Sequence, residues 1–249
     1  MRLKPPARPE DITEALVSDL QAILGPDLLG VCLYGSAASG RYRQGASDIN
    51  LLVLTADRPT HRASELIPFC AKWAPAKVAT PLVVSPSYLA GSLDVFPIEF
   101  LTMAASHKVL FGPDPLAGLE FKDRHLRLQL EREFKAKLVA LRTRLLASLG
   151  KPALLLELAR QAQPAFTALF QAYLYLLDGR FPGEPDQIWR RLEERGLTVG
   201  AFRRLHEIRQ GGGRPQGQEL LGVLERAIDQ LEEICRQVDA LEAPGPGAD

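Results

Sequence analysis

The chain has 249 residues, of which 46% are apolar, and it carries 30 basic and 30 acidic side chains. That composition is ordinary for a globular protein with a substantial core. Charge is balanced in both halves, 10 basic against 11 acidic residues in 1–117 and 20 against 19 in 118–249, which argues against a protein that grips long nucleic acid by its phosphates. Cys32, Cys70 and Cys235 lie in apolar surroundings with no CxxC or Cys/His cluster, so they read as reduced core residues rather than zinc ligands or a disulfide framework.

Met1 to Glu10 is polar and proline-rich and Ala243 to Asp249 alternates Pro and Gly, so both ends read as frayed tails. Neither a signal-peptide core nor a membrane-length apolar run occurs, and the expected location is the cytoplasm, with no membrane partner. Ile12, Leu16, Leu20 and Ile23 recur at helical spacing, and Gly25-Pro26 stops that helix. Leu28 to Tyr34 and Ser47 to Leu54 are apolar runs suited to buried strands. Between them lies a loop rich in Gly, Ser and Arg. Thr60 to Trp73 reads as a helix that Pro68 kinks or splits. Thr80 to Ser85 reads as a third strand with Pro81 at its start or on an edge, followed by a short helix from Ser85. Val95 to Thr102 alternates Phe96, Ile98 and Phe100 against Val95, Pro97, Glu99 and Leu101, which reads as a fourth strand. Val109 to Pro115 reads as a turn.

Everything beyond is helical. Leu126, Leu130, Phe134, Leu138, Leu141 and Leu145 form a stripe over a long helix ending at Gly150, and Ala153 to Leu177 is apolar almost all round. Pro164 should bend that central helix. Arg160, Gln163, Thr167 and Gln171 make its thin polar stripe. Two shorter helices follow near Asp186–Glu194 and Val199–Gln210. The last helix spaces Leu220, Leu224, Ala227, Leu231, Ile234, Val238 and Leu241 as a heptad seam. That seam leaves a homodimer open, with packing inside a bundle preferred. Lys122 to Arg144 holds eight basic and three acidic residues, and Glu219 to Glu242 holds two and seven; the preferred reading is two neighbouring helices with matched charge, aided by pairs such as Glu131–Lys135. The expected organisation is an α/β (α+β) domain with a short mixed sheet over 1–117 and an α-helical bundle over 118–249.

The chemistry concentrates at two strand ends. Gly35-Ser36 closes the first strand, and a Gly-Ser turn frees backbone N–H groups for a phosphate with no Cβ at Gly35 to block its approach. Arg41 and Arg43 in the loop can add positive charge. Asp48 and Asn50 share one face of the second strand, and two oxygen-bearing side chains so spaced suit a hard divalent cation. Glu99 lies opposite the aromatic face of its own run, so that if the two strands pair, the three side chains converge. His61, His107, His125 and His206 are scattered without ligand spacing.

Gly35-Ser36, eleven residues, Asp48-Ile49-Asn50 and a later Glu99 resemble the polymerase-β-like nucleotidyltransferases, in particular the small bacterial aminoglycoside and antitoxin-type enzymes with a C-terminal helical bundle. The resemblance covers residues 28–115. It implies that Gly35 and Ser36 hold a nucleoside triphosphate, that Asp48, Asn50 and Glu99 bind Mg2+ or Mn2+, and that Asp48 and Glu99 are catalytic. Asp94 is the weaker candidate for the third acid. The implied reaction moves a nucleoside monophosphate, AMP from ATP, to a hydroxyl of a small molecule or protein. Asn50 departs from the pattern, because an amide brings no charge to a metal. The rival readings are a degenerate, non-catalytic fold kept for nucleotide or protein binding, and, further off, an RNA-tailing polymerase.

Overall fold

A computed structural model describes residues 3–56, 63–182, 185–213, 215 and 217–241, with side chains at all of these except 63, 162–165, 185 and 186. Ala243–Asp249, the Thr60–His61 start of the second helix, and the side chains of Gln163 and Pro164 lie outside that description. The chain divides into two compact units, Met1–Glu120 and Phe121–Asp249.

The first unit is a mixed four-stranded sheet with helices. Helix α1 (Glu10–Leu24) buries Leu16, Leu20 and Leu24, and Gly25 at φ 55° ends it. Strand β1 (Leu28–Tyr34) pairs antiparallel with β2 (Asn50–Thr55), with Tyr34 opposite Asn50 and Leu33 opposite Leu51. Ile49, Leu51 and Val53 form a core with Leu16, Leu20 and Leu24 of α1 and with Phe69 and Trp73 of α2 (Ile67–Trp73). Strand parity sends Asn50 to the opposite face. Pro68 stands in the first turn of α2, and a 3-10 segment, Ala63–Leu66, precedes it, so the proline divides the helical run. Strand β3 (Leu82–Val84) runs parallel to β2, and α3 (Pro86–Gly91) begins on a Ser85 side chain that accepts the Tyr88 N–H.

Three expectations are overturned in this unit. The run Val95–Thr102 is not a strand: Pro97–Ala105 is a helix, α4, with Pro97 in its first turn. Its buried residues, Pro97, Ile98, Phe100, Leu101 and Met103, fall at helical spacing as well as in partial alternation, and a short apolar run satisfies both periods. Proline at the first helical position loses no hydrogen bond and supplies the right φ, which decides for the helix. The fourth strand is instead β4 (His107–Phe111), which overlaps the start of the segment read as a turn, and it pairs antiparallel with β1 to give the order β3-β2-β1-β4. It sits on a sheet edge and is only half-buried, so it lacks the continuous apolar signal of β1. The N-terminal arm is also no frayed tail where described. The Tyr42 hydroxyl donates to the Pro6 carbonyl at 3.1 Å and the Gln44 amide to Pro5 at 2.9 Å.

The second unit is all helical: α5 (Asp123–Ala147), α6 (Pro152–Asp178), α7 (Pro185–Glu194), α8 (Gly200–Arg209) and α9 (Gln218–Ala240). Helix α6 is one element through position 164 and ends at Gly179 in the left-handed conformation. Phe170 on α6 packs against Phe134 of α5, Trp189 of α7 and Phe202 of α8. The α9 seam is buried inside the unit, Leu220, Leu224, Ala227 and Leu231 completely. Charge matching between α5 and α9 is direct: Lys135 bonds Glu131 at 2.8 Å and Asp239 at 2.7 Å, and Arg142 pairs with Glu232. Gln171 is buried and spends its amide on the Pro182 carbonyl at 2.9 Å, so this member of the polar stripe has a structural partner. Among the described residues no helix is long and apolar enough to cross a membrane.

Candidate functional site

Strand β1 delivers the chain to Gly35, where φ is 74° and the backbone folds into a 3-10 turn, Gly35–Ala37. The bonds that close this turn are donated by the N–H groups of Ala38 and Ser39 to the Gly35 carbonyl and of Arg41 to the Ser36 carbonyl. They do not use the N–H groups of Ser36 and Ala37, which open the turn and are the ones a phosphate would take. The turn is held from behind by Ser106, at the C-terminal end of α4. The Gly35 N–H donates to the Ser106 carbonyl at 3.1 Å, and the Ser106 hydroxyl reaches the Gly35 carbonyl at 3.4 Å. In the loop that follows, Arg41 Nε donates to Ser39 Oγ at 3.0 Å, and the Arg43 N–H donates to Ser47 Oγ at 3.0 Å. Arg41 and Arg43 are exposed.

Asn50 comes to this turn directly. A Cβ built on Gly35 would meet the Asn50 side-chain amide at 3.4 Å, as the Tyr34–Asn50 register requires. Asp48 lies just ahead of β2, with its carboxylate 61% exposed and 4.0 Å from the Lys77 ammonium. The backbone fixes that approach: the Ile49 N–H donates to the Lys77 carbonyl at 2.8 Å, the Ala79 N–H donates to the Ile49 carbonyl at 3.0 Å, and Ile49 bridges to Val78 in parallel. Glu99 is exposed in the first turn of α4. It lies seven residues before Ser106, roughly 10 Å along the helix axis. Glu99, on a helix, therefore does not join Asp48 through paired strands.

The donor set does not suit a two-metal centre. Among the described residues no three His, Cys, Asp or Glu side chains are grouped so as to hold a metal. The reason is visible in the sheet. Val78-Ala79-Thr80-Pro81-Leu82-Val83-Val84 runs beside β2 without an acid, and so does β4, His107 to Phe111. What stands against the turn is the Asn50 amide, and two residues ahead of it the Asp48 carboxylate pairs with the Lys77 ammonium. Divalent magnesium draws its affinity from hard, charged oxygen ligands, and here the single carboxylate already faces a cation.

No family model matches the chain, and no curated protein matches it in sequence. Among solved structures it is similar to the spectinomycin adenyltransferase AAD(9) from Enterococcus faecialis, solved with ATP and spectinomycin, with a TM-score of 0.53 and 12% identity over 88% of this chain and 98% of that one. The chain shares the fold of that adenyltransferase. At this identity the likeness speaks for the fold alone.

Sequence reasoning missed Lys77 and Ser106. The signal for Lys77 was a Pro-bounded turn, Ala74-Pro75-Ala76-Lys77, directly before a strand. Beside Ser106, His107 sets one ring nitrogen 3.0 Å from the Ala104 carbonyl and the other 3.0 Å from Asp114. Burial pushes the Asp114 carboxyl up, but the bonds from His107 and from the backbone N–H groups of Leu116 and Ala117 outweigh it and hold the group below its ordinary 3.8. A carboxyl lowered by folding stabilises fully above its unfolded value and loses that contribution as pH falls through the folded one. Asp114→Asn should therefore flatten the loss of stability on acidification below about pH 4. Urea midpoints along a pH series check this, and equal slopes in variant and wild type refute it.

Proposed function

We propose that the chain binds a nucleoside triphosphate at the Gly35–Ser36 turn, on an adenyltransferase-like fold whose metal-ligand set is depleted. The observation that carries this reading is the turn itself. Gly35 is fixed by Ser106 with its left-handed φ, the opening N–H groups of Ser36 and Ala37 are not used in closing it, and Asn50 stands against it. The solved adenyltransferase of the same fold holds ATP, and ATP is accordingly the first nucleotide to test. Gly35, Ser36, Arg41 and Arg43 are assigned to the phosphates, and residues 1–117 to the nucleotide domain, with 118–249 as its helical companion.

Calorimetric titration with ATP should show binding that Gly35→Val weakens by about tenfold or more, since a β-branched residue is strained at positive φ and blocks the approach of phosphate. Wild-type protein that binds no nucleoside triphosphate would sink the reading. A second reading, transfer of AMP to a hydroxyl of a small molecule or protein, is favoured by one observation: Asp48 stands two residues before Asn50, so a carboxylate and an amide oxygen still flank the turn. In it Asp48 and Glu99 are the catalytic carboxylates and Asp48, Asn50 and Glu99 the metal ligands. Labelled ATP with Mg2+ or Mn2+, hydroxylated aminoglycosides and protein acceptors tests it, and Asn50→Asp should raise any transfer.

A further inference from the structure

We propose that the cleft between the end of α6 and α7 is a binding site for a small molecule that carries a phosphate monoester. The site belongs to the helical unit and is independent of the nucleotide-binding reading of the Gly35–Ser36 turn.

The cleft holds a cavity of about 580 Å³, lined by Leu177, Asp178, Arg180, Arg191 and Arg195. That volume is ordinary for a small-molecule site. Three guanidiniums against one carboxylate leave these five residues with a surplus of two positive charges, and arginine does not shed its proton in proteins.

The placement of the charges is specific. Asp178 is the last residue of α6, before Gly179 in the left-handed conformation turns the chain. Arg191 and Arg195 stand one helical turn apart, with the Arg195 N–H donating to the Arg191 carbonyl at 3.2 Å. Like charges at that spacing oppose each other. Asp178 holds them together by accepting from both: Oδ2 takes Arg191 Nη2 at 2.5 Å, and Oδ1 takes Arg195 Nη2. The Asp178 and Arg191 side chains are mostly buried, 15% and 24% exposed. An ion pair that merely pinned α7 to the end of α6 would need one arginine, gripping both carboxylate oxygens through two parallel bonds. Here one carboxylate is divided between two arginines, and a third lines the same cavity. Each guanidinium carries five N–H donors. The bonds to Asp178 use Nη2 of each arginine, and Arg191 Nη2 also reaches the Arg180 carbonyl at 3.3 Å. Asp178 thereby fixes two forks at the cavity wall by one terminal nitrogen apiece.

A phosphate monoester matches that wall. It brings close to two negative charges at neutral pH and three strong acceptor oxygens, and arginine forks bind such oxygens in pairs. Leu177 supplies an apolar contact for the organic part of the molecule.

The test is calorimetric titration of the full chain with glycerol 3-phosphate in 0.15 M NaCl. Wild type should bind one equivalent saturably. Arg180→Gln and Arg195→Gln should each weaken binding about tenfold or more, the worth of one charge-assisted hydrogen bond, and both keep the pair of Arg191 with Asp178. Arg236→Gln removes an exposed charge on α9 and should bind as wild type does. Gly35→Val is the control for the phosphate turn, and its binding of glycerol 3-phosphate should also match wild type. Succinate, whose two charges lie on separate carboxylates, should bind more weakly than the phosphate ester. Wild type that shows no saturable binding overturns the inference, as do Arg180 and Arg195 variants that bind normally or an Arg236 variant that loses as much as they do. Binding lost in Gly35→Val places the phosphate at the turn and overturns it while supporting the nucleotide-binding reading. Succinate bound more tightly than glycerol 3-phosphate overturns the assignment to a phosphate ester.

Discussion

Phe170→Ala should lower the stability of the helical unit by about 3–5 kcal/mol, the usual cost of removing a fully buried phenyl ring. Phe170 has no exposed surface and sits where four elements meet. Its ring centroid lies 5.8 Å from Phe134 of α5, 5.6 Å from Trp189 of α7 and 5.0 Å from Phe202 of α8, with the last two packed edge to face. Such pairs add roughly 0.5–1.5 kcal/mol each beyond the apolar area they bury, and no one neighbour can move inward without abandoning another. The cavity therefore stays open, which puts the substitution at the high end of the range. Calorimetry should show the melting temperature falling by more than about 10 °C. Phe170→Leu, which refills most of the volume, should cost under half as much. A Phe170→Ala variant that melts with wild type would mean that α6 is not the centre of this unit.

That centre was legible in the sequence because it is periodic over long runs. Helix α6 carries apolar residues on nearly every side for 27 residues, and the heptad seam of α9 repeats long enough to average out local accidents. Strand β1, seven residues of nearly continuous burial, was legible for the same reason. The errors fell on short segments. Val95 to Thr102 carries both periods, and Pro97 decided between them by suiting the first turn of a helix. His107 to Phe111 is an edge strand with one buried side at most, and its membership in the sheet is set by β1. At the site, Gly35 and Asn50 could be paired from local spacing, since β1 and β2 are consecutive antiparallel strands. Lys77 could not. Its approach to Asp48 depends on β3 joining β2 in parallel, a pairing that no local pattern encodes. The Asn50 departure from the nucleotidyltransferase pattern was readable, but its companion, a neighbouring strand without an acid, became visible only once β3 was in place.

Gly112→Ala should cost the first unit about 2–5 kcal/mol, and it probes the strand that the sequence concealed. Gly112 follows β4 directly, with φ 75°. Alanine there meets two separate penalties. The left-handed conformation costs a residue with a Cβ roughly 1–2 kcal/mol. In addition, a Cβ at this position would lie 2.1 Å from the Leu29 carbonyl oxygen and 3.0 Å from the Gly30 Cα. Both are backbone atoms at the start of β1, so no side chain can rotate out of the way, and relieving the overlap means displacing the end of β4 at a cost of roughly 1–3 kcal/mol. Gly40 supplies the control. Its φ is 72°, and nothing lies within 4 Å of a Cβ built on it, so Gly40→Ala carries the conformational penalty alone. The difference between the two variants in urea-denaturation free energy isolates the overlap, and equal losses would refute the close approach of β4 to β1. Because His107 of β4 pairs with Tyr34, next to Gly35, and Ser106 holds Gly35 itself, a displaced β4 should also loosen the Gly35–Ser36 turn. If the chain binds ATP at that turn as proposed, Gly112→Ala should weaken the binding without altering a residue assigned to the phosphates, while Gly40→Ala leaves the β1–β4 contact in place.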